Sequence, residues 1–168
     1  FLVKEANFRV SILPIVKILS GLLIHGIFLC ILLGLLVFYR MPITIYAIQI
    51  IYYVMALMFL ILGLSWLTAA LNVFLKDVAQ IVGILLQLGF FMSPIFWTPS
   101  MFGEPYRTLL KLNPLYYIIE GYRSSFLYHT WVSNSPSSTL YFWVVSLVLV
   151  LTGMFVFKQL RRHFADVI

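Results

Sequence analysis

The chain has 168 residues, 63% of them hydrophobic and 10% charged, with a mean hydropathy of +1.07 and a formal net charge of +6. A soluble domain covers itself with about 25% charged residues; at less than half that share, most of this surface must take lipid as its solvent. The excess of basic residues does not indicate a nucleic-acid partner, because lysine and arginine punctuate the ends of apolar runs instead of gathering on one polar face.

Residues 1–13 mix Lys4, Glu5, Asn7 and Arg9 with Phe1, Val3, Phe8 and Val10. That stretch is too short and too charged to span, and it predicts an amphipathic surface helix ending before Pro14. The chain opens without methionine or a signal-peptide pattern, so a longer natural N-terminus is expected. From residue 14 to 168 a membrane domain is predicted. Its spans are 18–39, 45–71, 78–97 and 140–157, each near the roughly 20 residues a bilayer requires and none containing Asp, Glu, Lys or Arg. The fold class predicted is all-α and polytopic: four transmembrane helices plus an external re-entrant helical hairpin.

With a cytoplasmic N-terminus, the inside holds Lys4, Arg9, Lys17, Lys76, Lys158, Arg161 and Arg162, against Arg40, Arg107, Lys111 and Arg123 outside. The larger basic share inside selects this orientation, with both ends of the chain cytoplasmic. The segment 112–127 is apolar but carries Glu120 and Arg123 at its middle, and a fifth span would place Lys158, Arg161 and Arg162 outside. It is read as a helix that dips into the membrane from outside or lies at the interface. Asn113-Pro114 supplies an N-cap and a first-turn proline, and Leu115, Ile118, Ile119, Tyr122 and Phe126 make one apolar stripe. Together with the helical composition of 104–112, this makes residues 98–128 a re-entrant hairpin, which must be received by protein or a water-filled cavity.

Candidate chemistry is sparse. Gly21 and Gly26 have nearly the spacing of a phosphate loop, but no lysine follows, so any nucleotide energy must come from a partner. His25, His129 and His163 fall in three environments, which disfavours a metal site, and Cys30 reads as a packing residue. His25 within the first span, like Gln49, Gln80 and Gln87, reads as polar glue to a neighbouring helix, with a functional role for His25 as the competing reading. Glu120 and Arg123, three apart, form a pair that lets the helix dip, or else a catalytic carboxylate for which only Glu104 offers a second acid. Phe90, Phe91, Phe96, Trp97, Tyr116 and Tyr117 cluster toward the outer end, as an aromatic belt or as the lining of a glycan path. The turn Asn72-Val-Phe-Leu-Lys-Asp77 either contacts a soluble partner or caps helix ends.

Several strings resemble the permease subunits of polysaccharide ABC exporters, the group that exports O-antigen and teichoic acid. They are Leu2-Val-Lys4, Ile12-Leu-Pro14, Ala70-Leu-Asn-Val-Phe-Leu-Lys-Asp-Val-Ala-Gln-Ile-Val82, Gln87, Met92-Ser-Pro-Ile-Phe96, Leu112-Asn-Pro-Leu-Tyr116, Glu120-Gly-Tyr-Arg123 and Arg162-His-Phe-Ala-Asp-Val-Ile168. Their collinear order along the whole chain is what makes the match specific. The resemblance implies the last four spans of a six-span permease that works as a homodimer with two copies of a separate cytoplasmic ATP-binding subunit. No cofactor is then bound by this chain; ATP and Mg belong to the partner.

The resemblance also assigns roles. Residues 1–13 hold the coupling helix, with Lys4, Phe8 and Arg9, and Asn72, Lys76 and Asp77 form the second contact with the ATPase. Phe90, Phe91, Trp97, Tyr116, Tyr117, Glu120 and Arg123 belong to the translocation path and re-entrant gate. Arg9 follows Phe8 where many family members have a Phe-Pro pair, a departure in the coupling helix. The implied function is export of a lipid-linked glycan or polyol-phosphate polymer. Competing readings are an exporter of drugs or lipids, a membrane-bound transferase or hydrolase using Glu120 and a histidine, and a gradient-driven transporter. The absence of an acidic residue in any predicted span disfavours the last.

Overall fold

The computed structural model describes residues 2–75, 77–98, 101, 103–134 and 136–160; side chains are described from residue 14 onward, excluding 107 and 133. Six α-helices are described: α1 (Leu2–Phe38), α2 (Gln49–Phe74), α3 (Val78–Met92), α4 (Glu104–Leu110), α5 (Pro114–Arg123) and α6 (Pro136–Leu160). A 3-10 turn, Ile45–Ile48, leads into α2, and a π-helical turn, Ser124–Tyr128, continues α5. No strand occurs among the described residues. Among the described residues, three segments are long and apolar enough to cross a membrane: Pro14–Phe38, Ile45–Phe74 and Pro136–Leu160, with mean hydropathies of 2.7, 2.3 and 2.4.

Two expectations are corrected. The helix that was to end before Pro14 runs on through it, so residues 2–38 form one helix. Pro14 removes one backbone donor, but apolar helices tolerate this where the freed carbonyl finds another partner. The expected third span, 78–97, ends at Met92 as a helix of 15 residues. At 1.5 Å per residue that is about 22 Å, short of the roughly 30 Å hydrocarbon core. The stop is local: Ser93 is extended (φ −86°, ψ 143°), as a residue preceding proline must be, and Pro94 follows.

The strongest packing is between α2 and α6, which run parallel. Tyr53 and Phe142 pack together near the starts of both helices, and Ala70 and Phe157 near their ends. Between these clusters the backbones approach closely. A Cβ at Gly63 would lie 2.7 Å from the Val150 nitrogen, and one at Gly153 would lie 2.5 Å from the Gly63 carbonyl oxygen. Only glycine permits that approach, as in small-residue contacts between membrane helices. By contrast α1 is little covered, leaving Leu23 69% and Phe28 65% exposed. Such apolar faces require lipid or another protein surface.

The segment around α5 is tied to the starts of α2 and α6. Tyr141 donates from its hydroxyl to the Leu112 carbonyl (2.7 Å) just before α5, and His129, just after it, bonds to Thr44 ahead of α2 (Nδ1 to Oγ1, 2.9 Å). Both ends of α5 therefore lie at the same end of the helix bundle. Between them the Tyr122 hydroxyl meets His25 Nε2 at 2.7 Å, and His25 sits near the middle of the span Pro14–Phe38. Helix α5 itself packs on the first turns of α2 and α6, with Tyr117 against Tyr52, Thr139 and Phe142.

Candidate functional site

Helix α5 is placed by its sequence at both ends. Asn113 caps it, its side-chain oxygen accepting from the Leu115 amide at 3.0 Å, with Pro114 in the first turn. The Asn113 amide nitrogen also donates to Ser93 Oγ (3.1 Å), and that hydroxyl donates to the Gly89 carbonyl (2.7 Å). At the other end the Arg123 guanidinium donates to the Trp97 carbonyl from both terminal nitrogens, 3.2 Å each, and to the Ile95 carbonyl at 3.4 Å. The irregular stretch that ends α3 is thus held to α5 at two points, and backbone carbonyls freed by the end of α3 find side-chain donors.

The inner face of α5 buries Tyr117, Ile118 and Gly121. Gly121 is required there because a Cβ would overlap the Tyr53 ring. Tyr117 stacks on Phe142 with centroids 4.8 Å apart. Its hydroxyl bonds to Tyr52 (3.0 Å) and Thr139 (3.1 Å), and the Trp143 indole donates to Tyr52 (2.7 Å). Four side chains from α2, α5 and α6 form one chain of hydrogen bonds, which fixes the re-entrant helix against both long helices. Burial pushes the Tyr117 phenol upward, so it stays protonated.

Glu120 lies 3.5 Å from Arg123, with its Oε2 accepting no hydrogen bond among the described residues. Burial raises its carboxyl above the usual range, and the Arg123 charge opposes that rise without cancelling it. Next to it, the loop after the π turn is held by Gln49. The Gln49 amide donates to the Thr130 carbonyl (2.9 Å) and its oxygen accepts from the Val132 amide (2.6 Å). Between α5, this loop and the first turn of α6 lies a cavity of about 170 Å³.

The expected gate residues separate into three places. Tyr116, Tyr117 and Glu120 line the cavity, with Tyr117 only 8% exposed and part of the core. Arg123 and Trp97 meet through the carbonyl. Phe90, Phe91 and Phe96 form an exposed aromatic cluster on and after α3, with ring centroids 5.6 and 5.5 Å from Phe90.

At the opposite end of the molecule, Pro14 and Lys17 of α1 line a groove of about 410 Å³ with Asn72, Val78 and Ala79. Asn72, one of the expected coupling residues, therefore shares a groove with the part of α1 that follows residues 1–13. Asn72 and Asp77 are exposed there. Lys76 lies outside the described residues, as do the side chains of Lys4, Phe8 and Arg9.

His25 bonds to a neighbouring helix, as its position suggested, whereas Gln49 bonds to a loop. The hydrogen bonds of Tyr52, Ser93, Thr139 and Trp143 were not legible in the sequence. Each is an ordinary residue whose partner is distant in the chain. No group of three or more His, Cys, Asp or Glu able to hold a metal occurs among the described residues.

Residues 2–127 match the family of ABC-2 type transporters. The chain is similar to the O-antigen export system permease protein RfbA of Klebsiella pneumoniae, 26% identical over 172 residues that cover 99% of this chain and 64% of that protein. It is likewise similar to the RfbA of Myxococcus xanthus, 28% identical over 167 residues, covering 98% of this chain and 64% of that protein. The chain thus spans just under two thirds of the length of these curated relatives.

Proposed function

This chain belongs to the ABC-2 type transporter family, and from that premise we propose that it is the membrane-spanning part of a permease exporting lipid-linked polysaccharide: O-antigen, a capsule-like glycan or teichoic acid. Similarity over 99% of the chain to relatives named O-antigen export permeases is the observation that carries this reading. The permease supplies no covalent chemistry. ATP with Mg is hydrolysed on two copies of a cytoplasmic ATP-binding subunit, and two permease copies enclose the path in the cell membrane. Both ends of the chain face the cytoplasm. The uncovered apolar faces of α1 and α3 fit lipid and a second copy.

The geometry supplies a route for coupling. On this reading the ATPase contacts are residues 1–13, with Lys4, Phe8 and Arg9, and the turn with Asn72, Lys76 and Asp77; the groove that Asn72 shares with Pro14 and Lys17 supports it. Movement there displaces α3, whose far end is tied to α5 by Asn113 and Arg123. A shift of α3 therefore reaches the re-entrant helix, beside Phe90, Phe91 and Trp97, instead of dissipating at a flexible joint.

Deleting the gene tests the export role. Surface glycan is expected to fall while its lipid-linked precursor accumulates on the cytoplasmic leaflet, both restored by complementation. Unchanged surface glycan and precursor in the deletion strain would overturn the reading.

A further inference from the structure

The cavity beside α5 differs in chemistry from the grooves along the long helices, which are lined mainly by aliphatic side chains. Here Tyr116 and Trp131 stand among Lys111, Glu120, Asn134 and Ser138. The set contains a cationic donor, an anionic acceptor, an amide that both donates and accepts, and a hydroxyl. An anion would meet Glu120 and a cation would meet Lys111, so neither is favoured. An apolar guest would leave these polar groups without water. A ring bearing several hydroxyl groups uses all of them, and its polarised C–H face suits the negative face of an aromatic ring. The volume, about 170 Å³, lies below the roughly 300–1,000 Å³ of sites for drug-sized ligands, which limits the guest to one ring.

The walls are built and held. Gln49 fixes the Thr130–Val132 backbone, the Trp131 ring packs on Tyr46 with centroids 5.0 Å apart, and Arg123 holds the Glu120 carboxylate. Glu120 keeps 26% of its side chain exposed.

We propose that this cavity, between α5, residues 130–134 and the first turn of α6, binds a single sugar ring. The inference rests on the export reading above for the source of that ring, the exported glycan as it leaves the membrane. A ring seated there restrains the emerging chain from sliding back.

The test uses the permease assembled with its ATP-binding subunit in nanodiscs. Saturation-transfer NMR is recorded with free hexose, 6-deoxyhexose and N-acetylhexosamine. Two variants from different elements, Ser138→Leu and Asn134→Leu, place an aliphatic branch in the cavity; circular dichroism melting shows that each is folded. Saturable transfer to the wild-type complex from at least one sugar, weakened about tenfold in both folded variants, is the expected result. Equal transfer to wild type and variants, or no saturable transfer from any sugar, would overturn the assignment. The gene deletion separates the two claims. Loss of surface glycan on deletion with no sugar binding removes the cavity assignment alone. Variant-sensitive sugar binding with surface glycan intact on deletion removes the export reading and leaves the cavity a site for free saccharide.

Discussion

The Arg123 guanidinium holds the Trp97 carbonyl through both of its terminal nitrogens, at 3.2 Å each, across 26 residues of chain. Arginine suits this site because its fork presents parallel donors, which the point charge of lysine does not. Hydrogen bonds to charged groups contribute roughly 1.5–3 kcal/mol each. Arg123→Met is expected to lower the melting temperature of the complex and to cut export, because the end of α3 loses its tie and Glu120 its counter-charge. Arg123→Lys is expected to recover only part of the loss. Wild-type melting and export rates in both variants would contradict this role.

The glycine pair of α2 and α6 sets a stability prediction. A side chain at Gly153 or Gly63 meets backbone, which cannot turn aside as a rotamer can. Overpacking costs about 1–3 kcal/mol where neighbours can shift, and Gly153→Val is expected at or above the top of that range. Gly26→Val on α1, where a Cβ would meet nothing within 4 Å, serves as the neutral comparison. Chemical-denaturation midpoints measure both; equal midpoints would remove the close seam.

Gly121 and Tyr53 should be energetically coupled. Gly121→Ala drives a methyl into the Tyr53 ring and destabilises the protein, whereas in a Tyr53→Ala background that ring no longer opposes it. A double-mutant cycle is expected to return about 0.5–3 kcal/mol of coupling. Additive effects would show that the ring does not sit on this glycine.

Glu120 gives a pH dependence of defined sign. Its folded carboxyl is raised above 4.5 by burial, with Arg123 opposing and Lys111 lining the same cavity. The folded state therefore binds this proton more tightly than the unfolded chain does. Its stability contribution is fully present below about pH 4.5, falls as pH rises through the raised value, and is flat beyond it. Glu120→Gln is expected to flatten that segment of the stability–pH curve. An unchanged slope would mean that the carboxyl is not perturbed.

Orientation is open to direct labelling. With both ends cytoplasmic, Arg40→Cys is expected to react with a membrane-impermeant maleimide added outside intact cells, while Lys158→Cys reacts only after permeabilisation. A Cys30→Ser background keeps the readout to one thiol. The opposite pattern inverts the topology.

The sequence by itself determined that this is an all-helical membrane chain. It located three spans and placed the Asn113 cap of α5. These properties follow from composition, period and local capping, which a chain carries without reference to its fold. Pro94 was also legible, yet a count of apolar residues over 78–97 outweighed it, and α3 ended at Met92 because a pre-proline residue leaves the helical region. The continuation through Pro14 went the other way, since most of a helix's bonds survive one missing donor. Only the tertiary structure decided which polar groups meet: His25 with Tyr122, Gln49 with the 130–132 backbone, Asn113 with Ser93, Arg123 with Trp97. It also buried Tyr117 in the core and gathered Lys111, Glu120 and Asn134 around one cavity. Such meetings depend on where the parallel α2–α6 pair and the returning α5 bring distant residues within about 3 Å, and no spacing along a chain encodes that.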